Sequence, residues 1–204
     1  MSKSKSEFNR RNEYESIIFP KIGKYTGAEK ESFYSALVIV LVFVLIFAFI
    51  GYVPVEGSSM EPTINKKGDG AIIVKGLIAP DYGDIVIVDN SDYGLDGAVH
   101  KLLIKRVVAK AGDTVSVLPY DDQEKKHLLV LRVNGEIVEE PYITEMLVGN
   151  TRQQEEITVP EGHFFVLGDN RPVSGDSRTF GVVNQDRITG VAVWLIGSGG
   201  FRLI

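Results

Sequence analysis

The feature that most constrains this chain is an uninterrupted apolar run near its N-terminus. All fifteen residues from Ala36 to Ile50 are apolar, and the next charged residue is Glu56. As an α-helix, residues 36–55 would span about 30 Å, the thickness of the hydrocarbon core of a bilayer. A buried core strand would be far shorter, and a cleaved signal peptide would not follow a leader of 35 residues. We therefore predict a permanent transmembrane anchor over residues 36–55.

The charges that flank this segment predict its orientation. Residues 1–35 contain seven Lys and Arg side chains, and such residues ahead of a membrane helix are retained in the cytoplasm. We expect a cytoplasmic tail over residues 1–35, and residues 56–204 on the extracytoplasmic side of the cell membrane. The lipid bilayer is then an expected partner. Nucleic acid is not, because the chain has a net charge of −5 and no basic field to attract it.

The body that follows, residues 56–204, has the pattern of a β-rich domain. Short runs of β-branched and aliphatic residues lie between turn residues, and Gly and Pro break the chain too often for long helices. The pair Asn134-Gly135 is a strong signal for a two-residue hairpin. We predict a mainly β, mostly antiparallel domain behind the single N-terminal transmembrane helix. Residues 119–126 and 144–158 are polar, and we expect exposed loops or a small insertion there, so that residues from about 119 to 158 form a variable insert.

Composition excludes several kinds of site. The chain has no Cys, which excludes disulfides, thiolate zinc sites and a Cys nucleophile. Its three His residues, His100, His127 and His163, are isolated and lack the spacing of a metal site. The phosphate-binding loops of nucleotide enzymes, the HExxH motif of zinc peptidases and the GxSxG motif of α/β-hydrolases do not occur. We expect neither a metal nor a cofactor.

Three segments place reactive side chains beside turn residues, and the first of them is Gly57–Thr63. Ser59 lies next to Gly and Ser and just ahead of a turn that contains Pro62. A turn of this kind can hold a hydroxyl exposed at the end of a strand, as a nucleophile requires. The same residues also fit a solvated linker that leaves the membrane, so this segment alone does not decide between the two.

The second segment contains Lys105 within an apolar strand. Strand alternation places Lys105 on one face with Leu103 and Val107, and Arg106 on the other face. A Lys buried in this way loses the hydration of its ammonium group, so its pKa falls and the neutral amine can serve as a general base. The alternative is an exposed Lys whose aliphatic stem covers the strand.

The third segment, residues 168–178, concentrates charge in a turn-rich sequence. It holds two Asp, two Arg and two Ser in eleven residues. Such a loop can be held by its own Asp–Arg pairs and Asx turns. A calcium loop is disfavoured, because the spacing of the acidic residues provides too few oxygen ligands.

Together, these segments resemble the bacterial type I signal peptidases, the leader peptidase family with a Ser–Lys dyad. The matching boxes are Ser59–Thr63 (S-M-x-P-T), residues 83–86 (G-D-I-V), residues 105–107 with Gly112-Asp113 (K-R-V…G-D), and residues 168–178 (G-D-N-R-x-x-S-x-D-S-R). The boxes occur in the order of the family, and they cover the body from about Val55 to Gly181. The tail and the 119–158 insert match only loosely.

This resemblance implies a signal-peptidase-like β-rich catalytic domain over residues 56–204. It implies a membrane-anchored serine endopeptidase that removes signal peptides from exported preproteins, after small residues at −3 and −1. By the resemblance, Ser59 is the nucleophile and Lys105 its general base. The remaining roles are orientation of the Lys amine by Ser174, bracing of the loop by Asp176 and Arg178, and substrate binding by Val55, Met60 and Ile104.

One residue departs from the pattern of some family members. They carry a Ser two residues before the nucleophile, and its hydroxyl helps to hold the oxyanion; this chain has Gly57 there. The oxyanion would then rely on the Ser59 backbone N–H and another donor, a backbone amide or water.

Two rival functions follow from the same residues. A catalytically silent, membrane-tethered homologue that acts as an assembly or binding module is one, although both Ser59 and Lys105 are present. A self-cleaving repressor with a Ser–Lys pair is the other, but residues 1–35 show no DNA-binding helix-turn-helix pattern.

Overall fold

The computed structural model describes residues 27–64, 68–91, 102–122, 124–125, 127–143, 146–197 and 200–203. The chain divides into two compact units, residues 1–46 and residues 47–204. Most of the predicted cytoplasmic tail, residues 1–26, lies outside the described residues.

The described part of the first unit belongs to helix α1, Gly27–Phe49, whose last three residues fall in the second unit. Within this helix, Lys30–Phe49 is long and apolar enough to cross a membrane, and none of this stretch is buried in the protein. Its apolar side chains are exposed around the whole helix; Leu41 and Val44, for example, are 55% and 58% exposed. A soluble helix buries its apolar side chains, so this surface suits a lipid environment.

The helix ends six residues before the predicted limit of the apolar segment, at Phe49 rather than residue 55. Residues Ile50–Pro54 form strand β1, which pairs antiparallel with Gly70–Val74. Two residues explain this end. Gly51 is a poor helix former, and the Pro54 ring would clash with the Ile50 carbonyl in a continued helix.

The second unit contains two β-sheets, which confirms the prediction of a mainly β body behind an N-terminal helix. After β1, its strands are β2 (Gly70–Val74), β3 (Ile85–Asp89), β4 (Leu102–Lys110), β5 (Thr114–Pro119), β6 (Leu128–Val133), β7 (Glu136–Ile137), β8 (Met146–Leu147), β9 (Gln154–Thr158), β10 (His163–Leu167), β11 (Val183–Asn184), β12 (Ile188–Gly197) and β13 (Gly200–Leu203). A short helix, α2 (Ser177–Phe180), follows the loop at residues 168–176, and a 3₁₀ turn, Gln185–Arg187, precedes β12.

The first sheet has eight strands in the order β1-β2-β12-β3-β4-β10-β11, with β13 paired to β12. Its strands pair antiparallel throughout the described residues. Four consecutive side chains of β3, Ile85 to Val88, are fully buried. Strand β3 therefore packs on both faces, and its apolar run is continuous rather than alternating. Strand β4 lies between β3 and β10 in the interior of this sheet.

The second sheet has the order β7-β6-β5-β9, with β8 paired to β6. The hairpin predicted at Asn134-Gly135 is confirmed, since Val133 and Glu136 face each other across it. The polar composition of residues 144–158 favoured an exposed loop, but Gln154–Thr158 form β9 on the edge of β5. Main-chain hydrogen bonds do not require apolar side chains, and β9 keeps only Gln154 and Ile157 partly buried.

Candidate active site

The side chains of Ser59 and Lys105 are in direct contact. The Lys105 Nζ donates a hydrogen bond to the Ser59 Oγ at 2.9 Å and another to the Ile104 carbonyl oxygen, also at 2.9 Å. The two residues are separated by 46 positions in the sequence, and the fold brings them together. A hydroxyl within hydrogen-bonding distance of an amine has the geometry needed for proton transfer between them.

The position of Ser59 is set by the turn that follows β1. Met60 and Ile64 are each only 1% exposed, and both belong to the core cluster beneath the turn. The turn is closed by hydrogen bonds from the Glu61 N–H to the Ser58 carbonyl and from the Ile64 N–H to the Met60 carbonyl. Because the apolar side chains of this segment are anchored in the core, Ser59 is held at the rim of the core and remains partly exposed.

Lys105 lies in the middle of β4 and is 2% exposed. Burial lowers the pKa of its amine from 10.5 to about 8; the carboxylates of Asp176 and Asp169 oppose this change, and Arg178 reinforces it. At pH 7, roughly one tenth of such an amine is neutral, against well under a thousandth for an exposed Lys. The buried position therefore makes a base available near neutral pH.

The loop at residues 168–178 packs beside this pair and contains a buried ion pair of its own. The Arg178 Nε and Nη2 donate to the Asp176 Oδ1 and Oδ2 at 2.8 Å and 2.7 Å. Asp176 also accepts from the Gly168 N–H at 3.1 Å, and the Arg178 Nη2 reaches the Arg171 carbonyl at 2.8 Å. These bonds close the loop on itself, as the sequence predicted.

A second buried ion pair fastens the start of this loop to strand β4. The Arg106 Nε and Nη2 donate to the Asp169 Oδ1 and Oδ2 at 2.9 Å and 2.6 Å. Neighbouring residues of a strand point to opposite faces, so Lys105 and Arg106 serve different partners. Lys105 contacts Ser59, and Arg106 fixes the loop.

Asn170 connects the loop to the segment that carries Ser59, and the sequence analysis missed it. Its backbone N–H donates to the Ser59 carbonyl at 3.0 Å, and its side-chain amide donates to the Ser58 carbonyl at 3.0 Å. Gly168 allows this close approach, because a Cβ there would lie within 2.5 Å of the Ser59 carbonyl oxygen and closer still to the Ser174 Oγ. The signal available in the sequence was the position of Asn170 inside the charged loop.

A comparison with known proteins identifies the family. The family model described as signal peptidase, peptidase S26, matches residues 30–196. Signal peptidase I of Bacillus licheniformis is 34% identical over an alignment of 175 residues that covers 77% of this chain and 83% of that protein. This chain belongs to the type I signal peptidases. It is therefore a serine peptidase.

Further members of the family match with similar coverage. Signal peptidase I T of Bacillus subtilis strain 168 is 34% identical over 77% of this chain and 80% of its own length. Signal peptidase IB of Staphylococcus aureus strain Mu50 is 29% identical over 76% of this chain and 82% of its own length.

The supporting residues expected from the signal peptidase family lie around the Ser59–Lys105 pair. Ser174 is near Gly168, but its buried Oγ has no hydrogen-bond partner within the part of the chain that the structure describes. Orientation of Lys105 by Ser174 therefore stays a prediction. Val55, Met60 and Ile104 share one core cluster at 4%, 1% and 9% exposure, and their role in substrate binding also stays a prediction.

Two further observations concern the chemistry open to this signal peptidase. Gly57 has a φ of 88°, a conformation that favours Gly over the Ser of some family members.

Among the described residues, no group of three or more His, Asp or Glu side chains is arranged to hold a metal ion.

Replacing Lys105 by Met should stabilise the protein. At pH 7 the Lys is protonated in both the folded and the unfolded chain, so the folded chain bears the full cost of a pKa lowered from 10.5 to about 8. That cost is about 3 kcal/mol, and the lost hydrogen bonds offset about 1 kcal/mol of it. Denaturant unfolding at pH 7 should show Lys105→Met to be more stable by about 2 kcal/mol. The gain should shrink between pH 8 and pH 10.5, where the folded amine is already neutral and the unfolded amine approaches its own pKa.

Lys110→Met is the matched control for this substitution. Lys110 lies on the same strand, but its side chain is 39% exposed and pairs with Asp81 at the surface. We expect it to change stability by less than about 1 kcal/mol. A loss of stability in Lys105→Met at pH 7 would contradict the cost assigned to the buried amine.

Proposed function

We propose that this protein is a membrane-anchored endopeptidase that removes N-terminal signal peptides from exported preproteins, with Ser59 and Lys105 as its catalytic dyad. The observation that carries the proposal is the 2.9 Å contact between the Ser59 hydroxyl and a fully buried Lys amine. Membership of the type I signal peptidases supplies the substrate class.

The proposed reaction begins with the neutral Lys105 amine. It accepts the Ser59 hydroxyl proton while the Ser59 Oγ attacks the carbonyl carbon of the scissile peptide bond. When the C–N bond breaks, Lys105 returns this proton to the leaving amine, which is the new N-terminus of the mature protein. Lys105 then takes a proton from a water molecule that attacks the acyl-enzyme. It returns this proton to the Ser59 Oγ as the ester C–O bond breaks, which regenerates Ser59 and the neutral amine and releases the signal peptide with a new C-terminal carboxyl group.

Stabilisation of the oxyanion is the second requirement of this reaction. Gly57 has no hydroxyl to offer, so the proposal assigns the oxyanion to the Ser59 backbone N–H and a second donor, a backbone amide or water. In the same proposal, Asp176 and Arg178 keep the loop rigid, and Ser174 orients the amine once substrate is bound.

Substrate recognition is proposed to use the surface next to the dyad. The cleavage segment would bind in an extended conformation and form main-chain hydrogen bonds at a strand edge. Val55, Met60 and Ile104 would form shallow apolar subsites that admit only small side chains, which fits small residues at −3 and −1. With α1 and the apolar segment of the preprotein in one bilayer, both reactants would be confined together and their effective concentration raised.

Lys105→Arg should abolish cleavage of a precursor with Ala at −3 and −1. Arg keeps the positive charge but does not deprotonate, so the loss should be roughly a hundredfold to ten-thousandfold.

The wild-type kcat/KM should rise about tenfold per pH unit and level off above about pH 8, where the Lys105 amine becomes neutral. The measurement is a steady-state assay of the purified full-length protein in detergent across a pH series.

Lys110→Arg is the control on the same strand, and it should retain wild-type turnover because Lys110 pairs at the surface with Asp81. Turnover by Lys105→Arg close to that of the wild type would refute the dyad. No cleavage by the wild type would instead favour the binding-module alternative.

Protease protection should reveal the proposed orientation. The seven Lys and Arg residues of segment 1–35, six of them ahead of α1, favour a cytoplasmic N-terminus, and the body would then lie outside. Protease added to spheroplasts should digest an epitope at the C-terminus and spare one at the N-terminus. Digestion of the N-terminal epitope with protection of the body would contradict both the orientation and a role in secretion.

A further inference from the structure

We propose that Glu140 and Tyr142, which lie between β7 and β8, are positioning residues that hold the 168–178 loop against the segment of Ser59. This inference rests on the proposed function, since it assigns a catalytic consequence to their contacts. Neither residue belongs to a motif of the sequence, and both lie in the region that the sequence predicted to be a variable insert.

The first contact is a buried ion pair between the loop and Glu140. The Arg171 side chain is 1% exposed and the Glu140 side chain 4%. The Arg171 Nη1 donates to the Glu140 Oε2 at 2.9 Å, and the Nη2 donates to the other carboxylate oxygen. The Arg171 Nε donates to the Gly168 carbonyl at 3.0 Å. The guanidinium therefore joins Glu140 directly to the backbone beside Ser59.

The second contact is made by Tyr142. Its ring lies under the Arg106 guanidinium, with 4.0 Å between the Arg106 Cζ and the ring centroid. Its hydroxyl donates to the Glu140 Oε1 at 2.9 Å. Burial raises the pKa of Tyr142, with Glu140 adding to the effect, so this hydroxyl stays protonated. Tyr142 thus connects the Arg106–Asp169 pair to the Arg171–Glu140 pair.

These contacts converge on Asn170. Its neighbours in the chain, Asp169 and Arg171, are each held by a buried ion pair, and Glu140 with Tyr142 links the two pairs. Asn170 itself donates to the carbonyl oxygens of Ser58 and Ser59. Moving either ion pair would move Asn170, and with it the backbone that carries the nucleophile.

Buried ion pairs such as Arg171–Glu140 are suited to positioning a catalytic group. A buried ion pair stabilises a fold little more than apolar residues of similar volume would, but it fixes an orientation. Proton transfer and nucleophilic attack depend steeply on position, and a displacement of about 1 Å can cost about a hundredfold in rate. A small shift at Asn170 is therefore expected to lower kcat in variants that remain folded.

The test is a double-mutant cycle on the full-length protein, with cleavage of the precursor peptide as the assay. Glu140→Gln should lower kcat by about tenfold to a hundredfold, with KM within about twofold of the wild type. Tyr142→Phe, which keeps the ring over Arg106, should lower kcat by about twofold to tenfold. The double variant should lose no more than Glu140→Gln alone, because the Tyr142 hydroxyl acts through Glu140.

Asp121→Asn is the matched control. It removes the charge of another carboxylate that pairs with an Arg, here Arg132 on β6, but Asp121 is 90% exposed. It should leave kcat unchanged. Circular dichroism and melting curves on each variant measure the folded fraction at the assay temperature. If Glu140→Gln does not fold, the kcat of Tyr142→Phe decides the matter.

Unchanged kcat in the folded variants, a loss equal to the unfolded fraction, or a double variant whose losses simply multiply would overturn the positioning role. These outcomes leave the proposed function intact as long as the wild type cleaves and Lys105→Arg does not. Failure of the wild type to cleave would overturn the proposed function and this inference together.

Discussion

Lys105 projects its amine from strand β4, an interior strand of the larger sheet, into a buried position that water does not hydrate, and the site is built around this position. An ammonium group buried in this way costs free energy, and the protein offsets part of the cost with hydrogen bonds to Ser59 and the Ile104 carbonyl. The rest of the cost remains as a lowered pKa. The free energy that burial costs the charged amine is the same free energy that lowers its pKa, and the lowered pKa makes the neutral amine available near neutral pH.

Buried ion pairs set the geometry around this amine. Three of them meet at the 168–178 loop, namely Arg106–Asp169, Arg171–Glu140 and Arg178–Asp176. The first pair joins the loop to strand β4, the second joins it to the connection between β7 and β8, and the third closes the loop on itself. Paired and hydrogen-bonded charges of this kind orient a backbone more strictly than apolar contacts do, because both distance and direction are fixed. The loop can therefore hold Asn170 against the Ser59 segment without regular secondary structure.

Local patterns in the sequence predicted most of the elements, and the resemblance to the signal peptidase family singled out Ser59 and Lys105, whose side chains are in contact. The apolar run predicted a helix, the β-branched runs predicted strands, and Lys105 in an apolar strand predicted a buried amine. The end of the helix at Phe49 could not be read from hydropathy, because hydropathy alone does not register the effect of Gly51 and Pro54 on the backbone. The contacts of Asn170 with Ser58 and of Arg171 with Glu140 join residues 112 and 31 positions apart, and no local pattern encodes them.

Direct titration of the Lys105 amine is the sharpest test of whether burial lowers its pKa enough for it to act as a base. NMR of the full-length protein in detergent micelles, with ¹³C at the Lys Cε, would follow each Lys as the pH is raised, and Lys105→Arg would assign the resonance by its disappearance. Lys105 should titrate with a pKa of about 8, well below the 10.5 of an ordinary Lys side chain. A Lys105 resonance that titrates near 10.5 would contradict the claim that burial makes this amine the base.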